Sequence, residues 1–161
     1  MKPVSSFLEQ MLAKVIALLM ALIVIDVSWQ VVTRFIMDDP SSYTEELARF
    51  LLMWIGLLGA AYAYRRHSHL SLDLFRHNAP HERRMWMNRV IHTISLAFAL
   101  VAMVYGGLKL VSLTLSLKQT SAALQIPIGY VYVCIPLSGV LISWFALDNL
   151  IHPEINDTVE G

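Results

Sequence analysis

Four long apolar runs separated by polar stretches organise the chain, at about Leu12 to Ile36, Glu46 to Tyr64, Val90 to Leu117 and Ile128 to Ile151. Each is close to or beyond the about 20 residues that a helix needs to cross roughly 30 Å of hydrocarbon. Lipid offers no partner for backbone N–H and C=O groups, so an open chain crosses it only as helix, and no alternating pattern of barrel type is present. The pattern predicts an all-α integral membrane protein of four transmembrane helices, forming a single domain over residues 1–161. Composition agrees. Apolar residues make up 57% of the chain and the mean hydropathy is +0.58, against about 45–50% apolar in soluble domains.

The 12 basic and 12 acidic residues cancel, which gives nucleic acid nothing to bind, so placement matters more than the sum. Between the second and third runs lie Arg65, Arg66, Arg76, Arg83, Arg84 and Arg89. Between the first and second, Met37-Asp38-Asp39-Pro40-Ser41-Ser42 has no basic residue, and between the third and fourth only Lys118 occurs. Lys and Arg are retained on the cytoplasmic side, which predicts a cytoplasmic N-terminus and C-terminus. Glu9 before the first run, and Asp26, Trp29 and Gln30 where a small-residue cleavage site would stand, predict that the first helix is retained rather than removed as a signal peptide.

Helix punctuation refines the boundaries. Ser42 and Glu45 have capping-box form and are expected to open the second helix. Pro80 and Pro127 each stand where a first helical residue is expected. From Pro80 the third helix is predicted to run unbroken through Leu117. About 38 residues would extend roughly 57 Å, so its basic first turns, with Trp86, are expected to lie at anionic headgroups. Pro136 is predicted to kink the fourth helix and free a backbone carbonyl.

Candidate chemistry is sparse. Asp26 is the deepest ionisable residue and shares a helix face with Trp29 and Gln30, so that face should look at protein. Coupling carboxylate and structural hydrogen-bonder are both open readings. The structural one is expected, because no other span supplies a second midplane acid. Its candidate partners are Gln30 and Lys109, the latter at a similar depth below the same membrane face. Glu45, Glu46 and Arg49 cluster at the start of the second span, with Glu45 four residues ahead of Arg49 in the favourable order for an ion pair. The cluster is expected to be local structure and a candidate docking point. His67, His69, Asp73, His77 and His81 are ligand types for zinc, but they lack fixed helical spacing and a cysteine. His69 and Asp73 are instead expected to hold a turn through side-chain to backbone bonds, and no metal or cofactor is expected. Cys134 sits in an apolar run and reads as packing. Gly56 with Ala60, Gly59 with Ala63, Ser95 with Ala99, and Ala102 with Gly106 are small pairs that permit close helix approach.

Several stretches together carry a resemblance. They are Val32-Thr33-Arg34-Phe35, Tyr43-Thr44-Glu45-Glu46-Leu47-Ala48-Arg49, Trp54-Ile55-Gly56-Leu57-Leu58-Gly59-Ala60-Ala61, His69-Leu70-Ser71-Leu72-Asp73, and Gln119-Thr120-Ser121-Ala122-Ala123-Leu124-Gln125-Ile126-Pro127. In order and topology, over about residues 30 to 145, the chain resembles the small membrane subunit of tripartite ATP-independent periplasmic (TRAP) transporters, the DctQ-like proteins. The resemblance implies a multi-pass protein of the bacterial inner membrane that is not an enzyme. Its implied partners are a large membrane subunit, a periplasmic binding protein that delivers an organic acid, and membrane lipids. Sodium coupling is implied for the large subunit, which this chain would brace. Two other readings stay open: a haem or quinone anchor, for which only His92 is placed as an axial ligand within a span, and an autonomous small exporter using Asp26.

Overall fold

The computed structural model describes residues 2–36, 42–66 and 81–151. The first two spans are single helices, α1 (Lys2–Phe35) and α2 (Ser42–Arg65). The third is one helical run in three parts: α3 (His81–Phe98), a π-helical segment (Ala99–Tyr105) and α4 (Gly106–Ser116). The fourth comprises α5 (Ile128–Tyr132) and α6 (Cys134–Ile151). Among the described residues, four stretches are long and apolar enough to cross a membrane: Val4–Phe35, Ser42–Arg65, Arg89–Ser116 and Ile128–Ile151. Among the described residues the only β pairing is an isolated bridge between Thr120 and Pro127.

Hydroxyl side chains inside the spans satisfy themselves on their own helix. Ser28, Thr33, Ser138 and Ser143 donate to the carbonyls of Val24, Gln30, Ile135 and Gly139, and Thr114 donates to Leu110. Such bonds one turn back satisfy these hydroxyls without a partner from lipid.

α1 packs on α2, α2 on α6, and α6 on both α3 and the π segment. The fourth span therefore lies between the second and third, and the first flanks the second. Burial follows this order: 44% of the fourth span's most apolar stretch is buried, against 6% of the first. The core is built from Leu12, Leu58, Ala61, Tyr64, Phe145 and Ala146, with Trp54, Leu96 and Trp144 packed around it.

Glycines decide where the third and fourth spans touch. A methyl group at Gly107 would stand 2.9 Å from Pro136 Cδ, one at Gly139 would stand 2.6 Å from Met103 Cβ, and one at Gly129 would stand 2.5 Å from Leu115 Cγ. Only a missing side chain lets the backbones approach this far.

Four expectations about helix detail are corrected. The third span is not unbroken α-helix, because Ala99–Tyr105 is π-helical where Met103 and Val104 meet Gly139. The uniformly apolar sequence there gives no signal of the wider turn. The fourth span is interrupted at Val133, three residues before Pro136; Pro136 lacks the N–H that would bond the Tyr132 carbonyl, and itself sits comfortably in the first turn of α6. Ser42 is the first helical residue of α2 rather than its cap, and the Glu45 carboxylate turns to Arg49. Pro127 precedes α5 as its cap, with φ −58° and ψ 118°, an extended conformation that the fixed proline φ permits.

Candidate functional site

The polar side chains of the bundle gather at its two ends. At the terminal end, where α1 begins and α6 finishes, Arg65 is the hub. It closes α2 with its side chain only 13% exposed, and lies 3.6 Å from Glu9 of α1 and 3.7 Å from Asp148 of α6. Its guanidinium also donates to Asn149 Oδ1 at 3.3 Å and stands over the Phe145 ring at 5.9 Å. The neighbouring Arg66 Nε reaches Glu9 at 2.7 Å. Two cations and two carboxylates thus neutralise one another at the rim of the hydrocarbon, where an unpaired buried charge would be costly. The same end carries Trp144 Nε1 donating to the buried Ser5 hydroxyl at 3.3 Å, and a 2.8 Å hydrogen bond between Tyr64 Oη and His92 Nδ1. Each of the four spans contributes to this belt.

At the far end the central residue is Glu46. Its carboxylate accepts the backbone N–H groups of Ala122 (3.1 Å), Ala123 (2.9 Å) and Leu124 (2.8 Å), which lie 76 to 78 residues later. One acid thereby holds the connection between the third and fourth spans. That connection is tightly turned: Lys118 and Gln125 adopt positive φ, 48° and 53°, the Ser121 and Ile128 N–H groups bond the Ile126 and Gln119 carbonyls, and Ser121 Oγ accepts from Ile126. Glu45 instead forms an exposed pair with Arg49 at 3.5 Å.

Asp26 lies one helix away, 7% exposed. Its Oδ2 accepts from Gln30 Nε2 at 2.9 Å, and the same amide donates to the Thr44 carbonyl of α2 at 3.0 Å. Gln30 is therefore the partner of Asp26. Lys109 is exposed on α4, and no described carboxylate is within ion-pair distance of it. Arg34 is exposed near the end of α1. His69 and Asp73 lie outside the described residues, as do His67 and His77.

Gly56 and Gly59 make no tight contact with another helix of this chain. A methyl group at either would meet nothing within 4 Å. Gly56 borders an open apolar groove of about 580 Å³, lined also by Leu52, Leu57, Phe98, Ala102 and Ile135. Among the described residues, no three His, Cys, Asp or Glu side chains are placed together to hold a metal.

The polar groups are spent on holding helices and one loop in place, and large apolar faces are left uncovered. This defines a multi-pass membrane protein. Comparison with known proteins supplies the family. The model of the DctQ component of tripartite ATP-independent periplasmic transporters matches residues 20–154, and the chain belongs to this family, a transport component and not an enzyme. It is 40% identical over 67 residues to the sialic acid TRAP transporter small permease protein SiaQ of Vibrio cholerae, covering 42% of this chain and 39% of that one. It is 29% identical over 108 residues to the isethionate TRAP transporter permease protein DctMQ of Oleidesulfovibrio alaskensis, covering 67% of this chain and 17% of that one. A putative TRAP transporter small permease protein of Haemophilus influenzae is 24% identical over 151 residues, 94% of this chain and 92% of its own. The first two matches thus span well under half of those relatives' length.

Proposed function

We propose that this chain, as the small permease subunit of a TRAP transporter, braces the static scaffold of a large membrane subunit during sodium-coupled uptake of an organic acid. A periplasmic binding protein delivers the substrate, and the sodium and substrate sites belong to the large subunit. The observation that carries this reading is the face of α2 at Gly56 and Gly59, where a methyl group would meet nothing within 4 Å and an open apolar groove begins. Gly56 with Ala60 and Gly59 with Ala63 have the four-residue spacing of small residues that lets a partner helix approach closely. The substrate class is supported by relatives whose names carry sialic acid and isethionate, both organic acids.

In this reading residues 1–161 form one domain in the bacterial inner membrane. The arginine-rich connection and both termini are cytoplasmic, and the end held by Glu46 is periplasmic. Asp26 acts as a structural hydrogen-bonder through Gln30 and takes no part in ion coupling.

Co-purification of the large subunit tests the brace. Gly59→Leu is expected to lower its recovery, whereas Leu in place of the exposed Val24 should leave recovery unchanged; full recovery with Gly59→Leu would refute close packing at that face. The role of Asp26 is read from Asp26→Asn, expected to assemble and to keep substantial uptake with at most reduced thermal stability. Normal assembly with no uptake would make it a coupling residue instead.

A further inference from the structure

Behind the loop that Glu46 holds, both of the helices leading into it are irregular, and at the same level. On the third span the π segment Ala99–Tyr105 runs directly into Gly106 and Gly107. On the fourth span the hydrogen-bond ladder is interrupted at Val133, whose own backbone stays helical with φ −57° and ψ −25°, and Pro136 withholds an N–H from the Tyr132 carbonyl. The two defects face each other, since a methyl group at Gly107 would stand 2.9 Å from Pro136 Cδ and 3.0 Å from Ile135 Cγ2. Beyond them, α4 and α5 pack on one another, with Leu115 seated over Gly129, and the bridge between Thr120 and Pro127 closes the loop between them. The stretch from Gly106 to Tyr132 is therefore a hairpin with its own internal contacts. The third and fourth spans continue behind it into the four-helix core, and the Glu46 carboxylate ties its loop to α2.

We infer that this hairpin is a hinged unit, with the joint at the π segment and the Val133–Pro136 break, latched to α2 by Glu46. π segments and proline interruptions are where helices bend, because local hydrogen bonding is already irregular. A latch made of one carboxylate against three consecutive amides releases as a unit, because the three charge-assisted bonds share a single acceptor group. The device belongs to this chain alone and does not depend on what it transports.

Pulsed electron spin resonance on the full chain in lipid nanodiscs tests this. One spin-label pair, Leu47→Cys with Gln119→Cys, reports the distance from α2 to the hairpin. A second pair, Phe7→Cys with Trp86→Cys, reports the terminal end; these four positions are exposed, and Cys134 is fully buried. Glu46→Gln is expected to broaden the first distance distribution at least twofold and leave the second unchanged. Adding Pro136→Ala, which returns an N–H to the break, is expected to narrow the first distribution again. An unchanged first pair in Glu46→Gln would overturn the latch. Broadening of both pairs would overturn the inference equally, because Glu46 would then support the whole bundle rather than one hairpin. Failure of Pro136→Ala to narrow the distribution would overturn the joint.

Discussion

The two ends of the bundle are held by different chemistry. At the terminal end, side chains meet side chains: Glu9, Arg65, Arg66 and Asp148 form a neutral ionic belt, backed by Phe145 and by the Ser5–Trp144 and Tyr64–His92 contacts. At the far end, one side chain meets backbone, with Glu46 gripping three amides of a loop. Side-chain belts fix helices relative to one another and leave the connections free. A carboxylate on backbone amides fixes the shape of a connection and says little about how the helices cross. The terminal end is thus the structural anchor, and the far end presents a shaped surface.

The largest effect that would break this contrast is at Arg65. Arg65→Ala removes the cation shared by Glu9 and by Asp148, whose side chain is only 3% exposed, and breaking this buried pair is expected to cost about 3–5 kcal/mol. Thermal unfolding in detergent should show the loss; a silent variant would mean that the belt does not anchor the bundle. Next comes a pair of glycines. Gly139→Ala drives a methyl group into Met103 Cβ at 2.6 Å and the Val104 nitrogen at 3.1 Å, an overpacking expected to cost about 1–3 kcal/mol. Gly56→Ala meets open space and should raise the stability of the isolated chain, by up to about 1 kcal/mol from helix propensity. The same melting measurement on both variants sharpens the difference between spans that touch and a face that does not. The smallest effect separates two adjacent acids. Glu45→Ala removes a pair whose side chains are 73% and 71% exposed and should change stability by no more than about 0.5 kcal/mol. Glu46→Gln should in contrast speed proteolysis within residues 118–127, by at least a fewfold, and equal cleavage of the two variants would erase the distinction between the acids.

Four helices were legible in the sequence because crossing lipid imposes a length and an apolar content that no local choice can evade. The pairing of Asp26 with Gln30 was one of two candidates, and its i+4 spacing made it visible. Long-range partners were not. Arg65 reads in sequence as one of several arginines that set orientation, and nothing near it names Glu9 or Asp148. Glu45 and Glu46 are adjacent acids on a helix start, and only the loop that returns much later in the chain tells them apart. Small residues reveal that helices approach closely without revealing which ones. Gly56 and Gly59 turn out to be uncovered, while the tight contacts fall at Gly107, Gly129 and Gly139. The family match begins at residue 20, so Ser5 and Glu9, both used by the terminal belt, lie outside it.

The position of the fourth span carries a consequence for biosynthesis. α1 and α2 are consecutive and pack on each other, so Glu9 can meet Arg65 as soon as both have entered the membrane. The third span has no comparable surface on α2 until α6 is made and slots between them. During synthesis the chain therefore passes through a stage with a paired first hairpin and a third helix that meets α2 through Tyr64 and His92 but lacks its main packing surface, and Arg65 waits for Asp148. The last of the described spans to leave the ribosome is the wedge that closes the bundle, so a chain stalled before it would offer quality-control proteases an open, incompletely packed bundle.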